Sequence, residues 1–379
     1  MKRRLWVTVA AAGICAALFT CATGFGQENG GFVGSDGCGM CHQDKQETWS
    51  GHGHSKILRK VVDGRIPEGA SATLPESVGW QDVSYLVGGA NVYARFLDTK
   101  GFVMTGQGKQ WSIDGGVHTA FKPDVPNGSL AYDCIKCHSV GWRDGAPYEK
   151  GVADDLEGIP GARFQNGVGC EACHGPGHEH VMLKDKRDLK EQKGDLKITK
   201  SKSADLCGGC HKRTDDGSVL VVAPTLMQSR QQFSEWSHSK KGQLSYPKCA
   251  DCHNSHVSSG MGDGFVRACE DCHKGSQAKP VKIAAMRGLS CRDCHMPPAD
   301  RGAWDATVKE YRHGDTHSHV FGITLDSKYT LDDGSGKATV TGDGLVRLTV
   351  DMTCARCHKS GEAHNMVTRE MLAVGKKVH

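Results

Sequence analysis

The chain has 379 residues, of which 38% are hydrophobic and 49 are glycine, with 47 Lys and Arg against 43 Asp and Glu. A formal charge of +4 excludes the strongly basic footprint of a nucleic-acid binder. The absence of βαβ alternation and of a Gly-rich dinucleotide fingerprint excludes a Rossmann dehydrogenase.

In chain order, residues 1–26 read as a secretory signal. Lys2, Arg3 and Arg4 supply the charged start, and Leu5 to Thr20 is an uncharged apolar stretch. At about 16 residues it is short for a membrane span, and the small residues Ala22, Gly24 and Gly26 follow it. No later run is apolar enough to span a bilayer. The expected cut lies near Gly24 or Gly26. Cys15 and Cys21 fall inside this segment, and Leu18-Phe19-Thr20-Cys21 distantly resembles a lipoprotein site. Lipidation there would turn Cys21 into a membrane tether.

Beyond the signal, every cysteine belongs to a Cys-x-x-Cys-His motif, and there are eight. The first four are Cys38/Cys41/His42, Cys134/Cys137/His138, Cys170/Cys173/His174 and Cys207/Cys210/His211. The second four are Cys249/Cys252/His253, Cys269/Cys272/His273, Cys291/Cys294/His295 and Cys354/Cys357/His358. Chance predicts on the order of 0.05 copies. Cys-x-x-Cys-His is the attachment signature of c-type haem: the thiols bond the macrocycle and the His ligates iron from one face. A zinc ribbon uses paired Cys-x-x-Cys but needs no His after every pair. The expected cofactor is eight covalently attached haem c groups. Each brings two propionates, so the mature protein is expected near about −7 oxidised and about −15 reduced.

A fold wrapped around haem follows. After cleavage roughly 44 residues remain per haem, too few to build a side-chain core of the usual size. The macrocycles must supply much of the apolar interior, and haem-free chain is expected not to fold. The expected class is a multihaem cytochrome c of mostly short α-helices and irregular chain, with two small β-hairpins. The first hairpin is read from Val83–Val87, Val92–Leu97, a turn at 98–101 and Phe102–Thr105. The second is read from Lys337–Thr341, a turn at 342–344 and Leu345–Asp351. Ser203 should cap a turn before Cys207. Arg230 to Lys240 should form a short helix stopped at Gly242. Residues 27–212 and 213–379 are read as two four-haem regions.

The opposite face of each iron decides function: filled, the haem carries electrons; open, it binds substrate. Of 20 His, twelve lie outside the motifs. The better distal ligands are His54, His180, His238, His256, His319 and His364. His118 and His317 take the remaining places, in competition with His52, His178 and His313. A His close in sequence to a motif cannot easily reach across its own macrocycle, so each should serve a different haem.

Asp133 to Trp142, Gly167 to Gly177 with His180, Leu206 to His211, and the first motif with Trp49 and His54 resemble the tetrahaem cytochrome c-554 family. That likeness covers residues 36–212. Cys249–His256, and Cys291–Pro297 through His319–Phe321, resemble cytochrome c-552/c-554-type modules of larger multihaem proteins. The resemblance implies electron carriage through closely stacked haems in the periplasm, or on the outer surface. It implies donor and acceptor cytochromes or a quinol-oxidising membrane complex as partners. A nitrifier member keeps one haem open-faced, and this would apply to one of the first four. The alternatives are an octahaem oxidoreductase of the hydroxylamine, nitrite or tetrathionate type, and a subunit of a homo-oligomeric extracellular filament. No Cys-x-x-Cys-Lys variant is present.

Overall fold

The computed structural model describes residues 30–152, 154–183, 195–259, 264–274, 281–302, 306–308, 311–358 and 368–378. The signal segment with Cys15 and Cys21, and also His364 and His379, lie outside the described residues.

The region between the first two motifs forms one antiparallel sheet. Its strands β1 (Leu58–Lys60), β2 (Val83–Gly88), β3 (Tyr93–Asp98), β4 (Gly106–Ser112) and β5 (Val117–Phe121) pair in sequence order. The expected Val83–Val87 and Val92–Leu97 runs are two strands of five, but Phe102–Thr105 is not a strand: it meets β3 only through the isolated bridge of Val103 with Leu97, and β4 begins after it. Both faces are covered. Tyr85, Val87 and Leu97 pack with Tyr132 and Ile135 on one side; Leu86, Ala94 and Phe96 pack with Val83 and Met104 on the other. Strand alternation would put Val83 and Tyr85 on one face. An irregularity in the β2–β3 register between them reverses the phase, as a bulge does. Ile135 lies between Cys134 and Cys137, so the sheet is the platform on which the second motif sits.

A buried cation braces that platform. Arg163 donates to Asp154 and to the Tyr85 hydroxyl (3.2 Å), and Tyr85 donates to Asp154 (2.6 Å). Beyond the sheet, β6 (Ser139–Val140) pairs with β7 (Gln165–Asn166).

The helices are short and sit at the motifs: α1 (Ser35–Gly39), α2 (Gln43–Ser50), α3 (Cys170–His174), α4 (His178–Val181) and α5 (Ala204–Gly208). After them come α6 (Gln232–Ser237), α7 (Lys240–Gln243), α8 (Cys249–Cys252), α9 (Cys291–His295), α10 (Val350–Cys354) and α11 (Thr368–Val378). Ser203 caps α5, its hydroxyl accepting from the Asp205 amide at 3.2 Å. The helix expected over 230–240 is broken in two. Ser239 leaves helical geometry and caps α7 through its side chain, because a Ser hydroxyl competes for the same amides that helix continuation would use.

A second core joins β8 (Val221–Ala223), β9 (Leu226–Gln228) and β10 (Asp300–Arg301) to irregular chain. It buries Met227, Ala299, Val320, Leu331, Val346 and Leu348. The expected second hairpin does not form. The turn closes (Thr341 N to Leu345 O, 2.8 Å), but Ala338 bonds Val219 and Leu348 bonds Gly322 instead of each other's strand. Thr349 then caps α10, so the chain beyond it is helical. Among the described residues no helix is long and apolar enough to cross a membrane.

Candidate haem sites

All eight motifs adopt the same local form, one helical turn. The motif His amide donates to the first Cys carbonyl at 2.9–3.0 Å in sites 1, 2, 4, 5, 6 and 8. In sites 3 and 7 the motif is itself α3 or α9. Residues i, i+3 and i+4 share a helix face, so each turn presents two sulfurs and an imidazole together. The sulfurs are free and partly or fully exposed. Among the described residues no three Cys, His, Asp or Glu side chains converge on one point as a zinc ribbon requires.

Four motif imidazoles face a second imidazole across nearly the same gap. Ring centroids are 6.3 Å apart for His42 and His180, and 6.1 Å for His54 and His211, for His174 and His256, and for His253 and His319. An iron held by two imidazole nitrogens at about 2 Å each sets ring centroids about 6 Å apart. Direct stacking is closer, as His52 on His54 at 4.4 Å demonstrates. In each pair the partner is remote from the motif it faces. His180 follows the third motif but faces the first; His256 follows the fifth but faces the third.

The other ring nitrogen is tethered, which selects the tautomer that leaves the ligating nitrogen bare. Nδ1 bonds a carbonyl in His174 (Thr199, 2.7 Å), His180 (Leu196, 2.7 Å) and His319 (His317, 3.2 Å). In His211 the partner is Gln232 Oε1 at 3.0 Å. Burial lowers the imidazole pKa of His54 and His319 to about 3, and lowers those of His253 and His256. These rings are neutral near pH 7, the form that binds iron. The residues present thus fit haem with two axial imidazoles at sites 1, 3, 4 and 5.

The sulfurs of different motifs meet in a definite order. Cys38 hydrogen-bonds Cys170, Cys137 bonds Cys210, and Cys207 bonds Cys249. Cys173 lies within electrostatic reach of Cys207, Cys252 of Cys269, Cys291 of Cys269, and Cys294 of Cys357. Each thiol stands for a thioether of the haem-loaded protein. The sites therefore run 1–3–4–5–6–7–8, with site 2 beside site 4.

Site 2 differs. His138 Nδ1 meets the Tyr132 hydroxyl at 2.5 Å, and among the described residues no imidazole faces it at 6 Å. Burial, then Arg95, holds its pKa down at about 4. Arg95 stacks between Tyr93 (4.2 Å) and Phe121 (3.9 Å), and Arg230 covers Tyr93 at 4.3 Å.

Enclosure differs from site to site. At site 1 only one sulfur is packed: Cys38 meets Cys170, whereas Cys41, past the end of α1, is exposed. At site 6 the whole motif lies at the surface, with Cys269, Cys272 and His273 all exposed. Cys272 Sγ there accepts from Arg267 Nη1 at 3.7 Å, and among the described residues no imidazole faces His273. The fifth, sixth and seventh motifs start at Cys249, Cys269 and Cys291. So short a spacing leaves little chain to wrap the middle turn, and its protein cover is thin. At site 8 His358 is half-buried and Cys357 exposed. His364, the distal candidate nearest to it in sequence, lies outside the described residues. Among the described residues, facing imidazoles are thus assembled at four sites, and Cys41, Cys272 and His273 keep their places in the motif turns at the surface.

The other expected ligands are placed as follows. His238 is tethered by Nδ1 to Ser234 O (2.9 Å) and His317 to Met296 O (2.6 Å). Neither is brought against a motif His. His118 lies on β5 against Trp111. It borders a cavity of about 360 Å³ with Pro75, Glu76, Ser77, Gln107, Gly108 and Lys109, none of them a motif residue. Among the described residues it is not brought against a motif His; its ring contact is with Trp111. His295 is tethered to Phe321 O at 2.8 Å.

Sequence reasoning missed the groups that orient the rings: Gln232, Tyr132 and Glu235. Glu235 is fully buried beside Asp300. Burial pushes both carboxyls up, Glu235 to about 7. No local pattern marks such residues, since their partners lie 6 to 84 positions away.

Residues 117–175 match the family model described as cytochrome c554 and c-prime. The multiheme cytochrome MtrA of Shewanella baltica (strain OS185) is 27% identical over 182 residues, 44% of this chain and 46% of its own length. The chain thus spans about half the length of that curated relative. Among solved structures, the octaheme sulfite reductase MccA of Wolinella succinogenes is similar with a TM-score of 0.52 at 17% identity, covering 85% of this chain and 64% of that one. The outer cell wall cytochrome OcwA gives 0.55 at 16% identity, covering 91% and 86%. At these identities the likeness to the solved structures is one of fold.

Proposed function

We propose that this multihaem c-type cytochrome, which resembles the cytochrome c-554 family, is an exported octahaem electron carrier. Bound haem would supply one-electron chemistry at each site, iron cycling between ferric and ferrous. The protein's part is to fix the irons in sequence and close their axial positions. The observation that carries the reading is the unbroken succession of neighbouring motif sulfurs through sites 1–3–4–5–6–7–8. The facing imidazoles at sites 1, 3, 4 and 5 support saturated irons there. Donor and acceptor would be other redox proteins of the periplasm or outer surface, reached at sites 1 and 8. Sites 1 and 8 end the succession of sulfurs, which favours those two as points of entry and exit. Residues 27–212 and 213–379 would be two four-site blocks, joined where His174 faces His256 and Cys207 meets Cys249. Pyridine haemochrome assay and intact mass should give eight haems per chain, and stepwise reduction should reach all of them. A lower count, or a fraction of haem that stays oxidised in the presence of a strong reductant, would reject the carrier.

A second reading, an octahaem oxidoreductase, is favoured by one observation: His138 has no facing imidazole among the described residues, while Arg95 and Arg213 lie in electrostatic reach of its motif. Electron paramagnetic resonance of the oxidised protein decides between them. Low-spin signals alone keep the carrier reading; a stoichiometric high-spin haem that binds cyanide or nitrite and is lost in C134A/C137A moves the assignment to catalysis at site 2.

A further inference from the structure

Helix α6 is only six residues long, yet it touches the axial ligands of two neighbouring sites. Gln232 Oε1 accepts from Nδ1 of His211, the motif imidazole of site 4, at 3.0 Å. One turn later Glu235 Oε2 accepts the His319 amide at 2.6 Å and the Ser318 hydroxyl at 3.2 Å. His319 is the imidazole that faces His253 of site 5. Residues i and i+3 lie on one helix face, so one face reaches both. The Phe233 amide adds a bond to the His211 carbonyl at 3.0 Å. Sites 4 and 5 are themselves adjacent through Cys207 and Cys249.

Glu235 and Ser318 are both fully buried. A buried amide and hydroxyl that lose their acceptor cannot turn to water, so the cost falls on the loop itself. That loop, 314–320, contains no helix or strand beyond an isolated bridge at Thr316. Glu235 joins it to the body of the protein across 84 residues of sequence.

We infer that α6 is a shared positioning element: Glu235 latches the loop that delivers His319 to the iron of site 5, and Gln232 fixes the ring of His211 at site 4. Neither is a ligand; each acts through one. The two actions differ in kind. Loss of Glu235 removes the hold on a ligand, whereas loss of Gln232 changes the basicity of a ligand that stays bound.

The inference rests on two axial imidazoles at sites 4 and 5, so the test includes the ligand itself. In the full haem-loaded chain, H319A should add one ferric high-spin haem to the wild-type spectrum. E235A should retain all its haem and add a high-spin signal at the same position. Added imidazole should restore the low-spin form in both. E235Q keeps an acceptor for the His319 amide and should remain as wild type. If H319A gains no high-spin haem, the ligand reading fails. If H319A gains it and E235A at full haem content does not, only the latch fails. Should E235A not mature, S318A removes one latch contact, together with the bond its hydroxyl accepts from the Val320 amide at 3.1 Å. It should raise cyanide affinity at one haem several-fold, and an unchanged affinity overturns the latch. Q232L should leave every spin state unchanged and move one midpoint potential upward, because an imidazole without its Nδ1 acceptor donates less to ferric iron. Eight unshifted potentials would remove Gln232 from the scheme.

Discussion

His174 and His256 show what a single residue contributes. Their rings lie 8° from parallel at 6.1 Å, and His174 Nδ1 is tied to Thr199 O. If they share an iron, His256→Ala should leave the haem count unchanged and convert one low-spin signal to high-spin, read by paramagnetic resonance. An unchanged spectrum would assign that face to another residue. Arg163 acts on stability instead. Its guanidinium is 2% exposed and bonded to Asp154, Tyr85 and Asn166. Arg163→Ala would strand the Asp154 carboxylate beneath the sheet. A cost of about 3–5 kcal/mol is expected, measured by denaturation of the haem-loaded protein. At this scale the sixteen cysteines and eight motif histidines were legible, because attachment needs those types at that spacing. How far each is enclosed was not: Cys38 and Cys41 share a motif, yet one packs on Cys170 and the other is exposed. The orienting groups were equally hidden. Gln232 lies 21 positions from His211, and only folding makes it a neighbour.

At the scale of elements, the chain obeys local rules until a longer-range contact overrides them. Ser203 caps α5 as its position before an apolar helical turn implies. The expected strands over Val83 to Leu97 are present, but the fourth and fifth strands of the sheet carry Gly and polar residues that hid them. Lys337 to Asp351 had hairpin spacing and turn residues, yet its amides found partners at Val219 and Gly322. The apolar side chains Val346 and Leu348 are better buried against Met227 and Val320 than against their own turn. Thr349 then makes the decisive change, its hydroxyl accepting from the Met352 amide at 3.4 Å to begin α10. Thr349→Ala should destabilise that helix, and with it the eighth motif, by about 1 kcal/mol. The measurement is hydrogen exchange of the α10 amides, which should quicken several-fold relative to those of α5.

For the whole molecule the order of sites matters more than their number. Site 4 meets sites 2 and 5 through sulfur hydrogen bonds and lies in electrostatic reach of site 3, whereas site 2 meets site 4 among the sulfur contacts described. Deleting haem at site 4 with C207A/C210A should therefore divide the relay. Pulse reduction at one end would leave the sites beyond the break slow to reduce. Deleting site 2 with C134A/C137A should leave end-to-end reduction near its original rate. Equal slowing in both variants would contradict the line with a side branch.

The amino-acid sequence by itself determined the cofactor chemistry, since covalent attachment is written in closely spaced residues that one helical turn brings together. It also determined that second imidazoles had to come from elsewhere, since a neighbouring His cannot cross its own macrocycle. Which His faces which motif, the order of the sites, the thin cover of site 6 and the distinct character of site 2 were decided only by tertiary structure. Those facts depend on loops such as 314–320 and on single buried contacts such as Glu235 with His319, formed between residues far apart in the chain. Such contacts follow from how two cores pack, and no local period or spacing carries them.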